Sequence, residues 1–126
     1  MDKKILIVDD EPYVRLLISR AVQSLEDEGV EILAADSGET GLEIIRKEQP
    51  QLVFLDVMMP KQNGFDVCQT VKREWGMKDI FIILLTAKGQ EIDKQRGDTV
   101  GADLYMTKPF DPDELLAKAT EVLGMP

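Results

Sequence analysis

Four short hydrophobic runs in this chain each end at polar residues, and this pattern constrains the fold more than any other feature. The runs cover residues 5–8, 52–55, 80–85 and 104–107, and the polar residues at their ends are Asp9, Asp10, Asp56, Thr86 and Lys108. Short apolar runs bounded by breaking residues are typical of parallel strands covered on both faces of a sheet. Ligands of such sheets bind beyond the carboxyl ends of the strands. If the four runs are neighbouring parallel strands, three carboxylates, a hydroxyl and an ammonium meet in one small volume.

Strand and helix patterns alternate along all 126 residues, which predicts one domain covering residues 1–126. The predicted strands are 4–8, 31–35, 52–55, 80–85 and 104–107, and the polar start of the second predicts an edge strand. The predicted helices are 12–28, 38–48, 64–74, 91–100 and 111–123, with Ser37 and Asp111 as N-caps of the second and the fifth. Five such units predict an open, doubly wound α/β sheet, because a closed eight-fold barrel needs about twice the chain.

The composition excludes several classes of function. A net charge of −9 argues against direct binding to nucleic acid or to an anionic membrane. No apolar run approaches the ~18 residues that span a bilayer, and the chain enters its first strand without a signal peptide. Its single cysteine, Cys68, excludes an internal disulfide and fits a reducing, cytoplasmic environment.

The chain contains no histidine, which excludes histidine bases, nucleophiles and metal ligands. Any metal must therefore be a hard ion held by oxygen. Asp9, Asp10 and Asp56 would repel one another without a cation between them, so they predict a Mg²⁺ site with room for a phosphoryl group. The alternative interpretation of Asp9 and Asp10 is a helix N-cap.

Asp56 is the best candidate for a covalent acceptor, because a carboxylate can form an aspartyl phosphate. The alternative is a turn-forming aspartate. Lys108 and Thr86 are the residue types that pair with and hydrogen-bond a phosphoryl group during transfer. Taken singly, a threonine at a strand end is usually structural and a lysine is usually solvated, but both stand at the right strand ends.

In combination, these segments resemble the receiver domains of two-component response regulators, of which the single-domain chemotaxis regulator is the best-known kind. The resemblance covers essentially the whole chain and rests on residues 7–11, 55–60 with Gly64, 85–87, 101–103 and 108–110. It implies a bacterial signalling protein with the flavodoxin-like strand order 2-1-3-4-5 in a three-layer sandwich.

The resemblance also implies residue roles at the metal site. Asp56 would be the phosphoacceptor. Asp10 and Asp56 would bind Mg²⁺ through their carboxylates, with Mn²⁺ as a possible substitute and the backbone carbonyl of Met58 as a third ligand. Asp9 would act largely through a metal-bound water.

Further roles implied by the resemblance concern the phosphoryl group and the switch. Lys108 would pair with the acceptor and its phosphate, while the Thr86 hydroxyl and the Ala87 backbone N–H would bind phosphoryl oxygens. Inward movement of Thr86 would allow Tyr105 to rotate inward and would shift the surface of helix four, strand five and helix five. The bond before Pro109 would be a cis peptide.

The implied function is a phosphorylation-activated switch that catalyses only its own phosphorylation and dephosphorylation. Its partners would be a sensor histidine kinase or a histidine phosphotransfer protein, and a downstream protein bound through the helix four, strand five and helix five surface. No direct contact with nucleic acid or membrane is expected. The chain is either a stand-alone regulator or a receiver excised from a longer protein.

Three rival functions remain. A Mg²⁺-dependent aspartyl phosphohydrolase would need a second acid two residues after Asp56, where Met58 stands. A flavodoxin-like cofactor module would need a phosphate-cradling loop after strand one, where acidic residues 9–11 would repel phosphate. The third rival is a receiver that works without phosphorylation.

Four side chains and one helix carry structural expectations. Cys68 is predicted to be a buried apolar residue and Trp75 a structural one, while Lys72 and Arg73 are predicted to form a solvated helix face. The fourth helix is predicted to be short or mobile, because its apolar face is thin and it contains a glycine.

Overall fold

Five parallel strands form one sheet in the order β2-β1-β3-β4-β5. The computed structural model describes residues 3–86, 100–108 and 110–125. The strands are β1 (Lys3–Val8), β2 (Val30–Ala35), β3 (Leu52–Asp56), β4 (Phe81–Thr86) and β5 (Leu104–Thr107). This confirms the predicted doubly wound α/β fold with the order 2-1-3-4-5, and β2 lies at an edge as its polar start indicated. The strand boundaries differ from prediction by one residue at most, so Asp56 and Thr86 are the last residues of their strands.

Helices cover both faces of the sheet. In the described part of the chain, the α-helices are α1 (Pro12–Ala21), α2 (Gly38–Glu48), α3 (Gly64–Gln69) and a C-terminal helix (Pro112–Val122). Alternate residues of a strand point to opposite faces, and β1 follows this rule. Ile5 and Ile7 pack with α1 and the C-terminal helix, whereas Leu6 and Val8 pack with α2 and α3. The sheet is therefore the middle of three layers.

The first helix is shorter than predicted. The α-helix ends at Ala21, and a 3₁₀ helix (Gln23–Glu28) continues to Gly29, whose φ of 88° ends it. Three successive acids at positions 26–28 stand at the carboxyl end of this segment, where negative charge opposes the helix dipole. Leu25 is still buried, so the apolar periodicity predicted its burial correctly while the helix type changed.

The third helix also changes type before it ends. A π-helical turn (Thr70–Glu74) follows α3, and the Trp75 backbone N–H donates to the Thr70 carbonyl oxygen at 2.8 Å. Within this turn Lys72 is 6% exposed, and its Nζ lies 2.7 Å from Oδ2 of Asp103. The prediction that Lys72 belongs to a solvated face was therefore wrong, whereas Arg73 is exposed as predicted. The acid that neutralises Lys72 is distant in sequence and was not visible as a partner.

Both predicted N-caps are confirmed. The Ser37 hydroxyl accepts from the Thr40 N–H of α2, and the Asp111 carboxylate accepts from the Asp113 N–H of the C-terminal helix. Cys68 is fully buried, and the Trp75 ring packs against the core and lies 5.6 Å from the guanidinium carbon of Arg46.

Several predictions fall on residues that the structure does not describe. These are the fourth helix up to residue 99, the Ala87 N–H and the Pro109 peptide bond. Among the described helices, none has the length and apolar character needed to cross a membrane.

Candidate functional site

Three acids meet at the carboxyl edge of the sheet because β1 and β3 are neighbours in register. Val8 pairs with Leu55, so the residues that follow them, Asp9 and Asp56, stand at the same level. Asp9, Asp10 and Asp56 each place a carboxylate oxygen within 4.8 Å of the other two. Asp9 and Asp56 are 0% and 2% exposed, whereas Asp10 is exposed. The predicted convergence of the three carboxylates is confirmed, and the pocket opens to solvent on the Asp10 side.

All but one of the polar groups of Asp9 form hydrogen bonds. Its N–H donates to the Ala35 carbonyl oxygen at 3.1 Å, and its own carbonyl oxygen accepts from Nη1 of Arg15 at 2.7 Å. Its Oδ1 accepts from the Glu11 N–H at 2.9 Å. Oδ2 is buried without a hydrogen bond, and the nearest described cation is Nζ of Lys108 at 3.6 Å. One carboxylate oxygen of Asp9 is thus presented to the pocket.

The helix-cap interpretation of the acidic pair was wrong. The N-cap residue of α1 is Glu11, which makes no side-chain cap hydrogen bond. The Asp9 carboxylate instead closes a turn onto Glu11, and the carboxylate of Asp10 belongs to the acidic cluster.

Asp56 lies between a lysine and a loop. Its Oδ1 accepts from the Met58 N–H at 3.2 Å and lies 3.5 Å from Nζ of Lys108. Burial, followed by repulsion from Asp9, raises the pKa of Asp56 from 3.8 to about 6, although Lys108 and the Met58 N–H oppose the rise. The pKa of Asp9 is also raised, chiefly by burial. A single lysine therefore does not compensate for two buried acids that face each other.

These residues fit a divalent cation. A buried carboxylate oxygen without a hydrogen bond is costly, and Asp9 Oδ2 is such an atom beside two further carboxylates. Mg²⁺ takes oxygen ligands, commonly one or two carboxylates completed by water and phosphate oxygens. The donor set and the partly open pocket match that requirement.

Thr86 and Lys108 stand beside the acids. β4 pairs with β3, and Asp56 is aligned with Leu85, the residue before Thr86. Thr86 is 2% exposed, and its carbonyl oxygen accepts from the Lys108 N–H at 2.8 Å. Tyr105 is half-buried on β5, aligned with Leu84. Tyr105 thus lies on the strand beyond Thr86 and is not part of the acidic cluster.

The loop after Asp56 depends on a close backbone approach. A Cβ atom at Gly64 would lie well within van der Waals contact distance of the Asp56 carbonyl oxygen and would collide with it. The Gly64 N–H donates to the Val57 carbonyl oxygen at 3.1 Å. Lys61 adopts a φ of 67°, a conformation that is uncommon for residues other than glycine. Met58 is 63% exposed at the rim of the site.

Two basic residues near the motifs were missed by the sequence analysis. Arg15 bonds the Asp9 carbonyl, and the only signal for it was a basic residue in the first turn of the helix that follows the acids. Lys72 has a clearer signal, because it lies four residues after the buried Cys68 and therefore on the same face of a helix.

The sequence matches one family model and many curated proteins. The model for the response regulator receiver domain matches residues 5–120. The probable transcriptional regulator ycf27 of Porphyra purpurea is 46% identical over 121 residues, which are 96% of this chain and 47% of that protein. The alkaline phosphatase synthesis transcriptional regulatory protein PhoP of Bacillus subtilis (strain 168) is 43% identical over 124 residues, 98% of this chain and 49% of that protein. The chain spans about half the length of these curated relatives.

Solved structures give the same fold. The chemotaxis protein CheY4 of Vibrio cholerae superposes with a TM-score of 0.83 at 32% identity, covering 97% of this chain and 99% of that chain. The response regulator DrrB of Thermotoga maritima superposes with a TM-score of 0.83 at 33% identity, covering 98% of this chain and 54% of that chain.

One relative bears on the expected partners. The protein RpaA of Synechocystis sp. is described as a DNA-binding transcriptional regulator, is 42% identical over 120 residues, and is matched over 48% of its length. The expectation that no nucleic acid is contacted is therefore doubtful for a protein of that full length, and it stays a prediction for the 126 residues alone. The fold, the acidic cluster and the match over residues 5–120 agree, and the chain belongs to the family of response regulator receiver domains, the signalling domains of two-component systems.

Proposed function

We propose that residues 1–126 act as one receiver domain that accepts a phosphoryl group on Asp56. The observation that carries this proposal is a buried carboxylate at the end of β3, 3.5 Å from a lysine ammonium and within 4.8 Å of two other acids. Burial holds the pKa of Asp56 at about 6, so near pH 7 the carboxylate is mostly ionised and poorly solvated. Such a group can act as a nucleophile.

The proposed reaction transfers phosphorus from nitrogen to oxygen. A carboxylate oxygen of Asp56 forms an O–P bond with the phosphorus of a phosphohistidine, and the P–N bond of the donor breaks. The bonding electron pair goes to that imidazole nitrogen. A proton taken up from water at the other ring nitrogen lets the ring leave as neutral imidazole. This chain has no histidine of its own, so a phosphohistidine donor must be another protein. We assign that role to a sensor histidine kinase or a histidine phosphotransfer protein, the partners expected of the family.

The chain's own residues orient the acceptor and balance its charge. The Met58 N–H and Lys108 both contact Oδ1 of Asp56, which restrains the position of that oxygen. Lys108 also lies 3.6 Å from Oδ2 of Asp9, so its ammonium bridges the two buried acids and would face an incoming phosphoryl group. Positioning and charge neutralisation are the main sources of catalysis in phosphoryl transfer.

Asp10, Asp56 and the Met58 carbonyl would hold Mg²⁺, or Mn²⁺ in its place, with Asp9 acting through a bound water. The ion would supply positive charge against the phosphoryl oxygens.

We further propose that the signal leaves the site through Thr86 and Tyr105. Thr86 is buried at the end of β4 beside the acceptor strand, and Tyr105 is half-buried on β5. The Thr86 hydroxyl and the Ala87 N–H are assigned to the phosphoryl oxygens. Movement of Thr86 toward them would open space for Tyr105 to turn inward and would change the surface that binds a downstream protein.

Hydrolysis as the main activity is less well supported. The position two residues after Asp56 holds Met58, which cannot serve as a general acid or base, and its side chain is 63% exposed at the rim of the site.

The test is the intact mass of the protein after incubation with Mg²⁺ and a small acyl phosphate. We expect one added phosphoryl group on the wild type, none on Asp56→Asn and none with EDTA. Asp36→Asn, which changes an exposed acid after β2, is the matched control and should be modified like the wild type. A folded wild type that binds Mg²⁺ but gains no mass and releases no phosphate would contradict the proposal.

A further inference from the structure

Arg15 is a basic residue beside the acidic cluster to which the proposed reaction assigns no role. It lies in the first turn of α1, and its Nη1 donates to the carbonyl oxygen of Asp9 at 2.7 Å across six residues of sequence. Helical side chains lean toward the amino end of their helix, so a long side chain at this position reaches back over the segment between β1 and α1. Arg15 is half-buried, so part of its side chain packs against the protein instead of extending into solvent.

The contact completes the restraint of Asp9. The N–H, the carbonyl oxygen and Oδ1 of Asp9 are all hydrogen-bonded, to Ala35, Arg15 and Glu11 respectively. Oδ2 is the buried atom left without a hydrogen bond, and it faces Lys108. The backbone and one carboxylate oxygen are therefore fixed so that the other oxygen is presented to the pocket.

The same contact bears on Asp10. The Asp9 carbonyl belongs to the peptide unit that joins Asp9 to Asp10, and a peptide unit is planar. The hydrogen bond to this carbonyl oxygen limits the rotation of the peptide unit. It therefore also limits the direction in which the Asp10 side chain projects from the backbone. Asp10 is exposed, so the solvent side does little to fix it.

We propose that Arg15 is a positioning residue of the metal pocket. By donating to the Asp9 carbonyl, it holds Oδ2 of Asp9 and the carboxylate of Asp10 in the arrangement that a divalent cation requires. The inference rests on the metal-binding part of the proposed function and is independent of whether Asp56 is phosphorylated.

The experiment measures Mn²⁺ binding by titration calorimetry and by the electron paramagnetic resonance signal of unbound Mn²⁺. The variants are Arg15→Gln, Arg15→Lys and Arg20→Gln. Arg20 is an exposed residue in the last turn of the same helix, so Arg20→Gln removes the same charge without removing the hydrogen bond. Substitution of a residue that orients a metal ligand typically weakens metal binding by 10- to 100-fold.

We expect Arg15→Gln to raise the dissociation constant for Mn²⁺ about tenfold and Arg20→Gln to leave it near the wild-type value. Arg15→Lys should fall between the two, because it keeps the charge but has a shorter side chain without the planar fork. Equal affinity for Arg15→Gln and Arg20→Gln would overturn the inference. Wild-type affinity for Arg15→Lys would also overturn it, since charge alone would then account for the effect. If Arg15→Gln does not fold, the Arg15→Lys result decides.

A second readout separates positioning from general damage. With a saturating acyl phosphate, the Mg²⁺ concentration that gives half the maximal phosphorylation rate should rise in Arg15→Gln, while the rate at saturating Mg²⁺ stays near the wild-type value. A lower plateau with an unchanged half-saturation concentration would contradict a role in metal binding.

The failure of the inference and the failure of the proposed function are distinguishable. Wild-type protein that binds Mn²⁺ but is never phosphorylated would reject the phosphoacceptor role of Asp56 and leave the Arg15 test valid. Wild-type protein that binds no Mn²⁺ at millimolar concentration would reject the metal pocket and the role of Arg15 together.

Discussion

Asp56→Asn should make the metal-free protein more stable at neutral pH. The substitution keeps the size of the side chain and an oxygen that can accept from the Met58 N–H, but it removes a buried negative charge that faces Asp9. The pKa of Asp56 rises from 3.8 to about 6 on folding, and each pKa unit corresponds to 1.36 kcal/mol. Ionised Asp56 therefore lowers the free energy of unfolding by about 3 kcal/mol. The value of about 6 already includes the opposing effect of Lys108, so a gain of about 3 kcal/mol is expected.

The pH dependence has a defined sign. Because the folded-state pKa of Asp56 lies above its unfolded value, the folded protein binds the proton more tightly. The penalty is absent below about pH 4, grows as the pH rises and is complete above about pH 6. The stability difference between Asp56→Asn and the wild type should therefore be largest at pH 7.5 and small near pH 4.

The assay is urea unfolding in EDTA at pH 7.5 and pH 4.5, followed by the fluorescence of Trp75, the only tryptophan in the chain. Asp36→Asn is the control for a change of one charge, and as an exposed acid it should alter stability by less than about 0.5 kcal/mol. Mg²⁺ should then stabilise the wild type more than Asp56→Asn, since a ligand that binds only the folded state adds stability in proportion to its affinity.

An Asp56→Asn variant that is no more stable than the wild type in EDTA at pH 7.5 would refute a charge penalty at Asp56. An equal gain in stability at both pH values would refute it too, because the penalty must shrink as the wild-type carboxyl becomes protonated.

Three further predictions concern residues around the site and the core. Lys72→Met should destabilise the fold by about 1 kcal/mol in urea unfolding, because it removes the 2.7 Å partner of Asp103, whose side chain is 30% exposed and still accepts from the Ile82 N–H; a smaller loss when Asp103→Asn is already present would show the coupling, and additive losses would argue against it. Gly64→Ala should lower the melting temperature and weaken Mn²⁺ binding, because a Cβ there collides with the Asp56 carbonyl; Gly76→Ala, at a φ of 67° where no atom lies within 4 Å of the added Cβ, is the control for backbone strain away from the site and should leave Mn²⁺ affinity unchanged. Cys68 should resist a thiol reagent at pH 8 until the protein is unfolded, because burial raises the pKa of its thiol to about 12; rapid labelling of the native protein would contradict this.

The hydrophobic pattern predicted the architecture. A short run that is apolar on both faces can be buried completely only as a strand in a sheet that helices cover on both sides. The strands came out within one residue of prediction, and the placement of Asp9, Asp56, Thr86 and Lys108 followed from their positions at strand ends. Parallel strands in register bring such ends together, so the acidic cluster was predictable once the strand order was chosen. The caps at Ser37 and Asp111 were equally local, since each depends on a side chain and an N–H two or three residues away.

Contacts between distant parts of the chain were decided by the tertiary structure alone. Lys72 can be buried because its ammonium forms an ion pair with Asp103, which lies 31 residues away in the sequence. The pattern of apolar residues on one helix cannot predict a partner at that distance. The early end of α1 and the π turn after α3 were not predicted either, because apolar periodicity marks the buried face of a helix without distinguishing α, 3₁₀ and π hydrogen bonding.

The electrostatics of the site belong to the tertiary structure as well. The sequence determined which acids meet, but only the packed structure determined that Asp9 Oδ2 is buried without a hydrogen bond, that Arg15 holds the Asp9 carbonyl, and that the pKa of Asp56 rises to about 6. The physical reason is that desolvation depends on how completely neighbouring elements cover a group, whereas hydrophobic periodicity reports only which face of each element is covered.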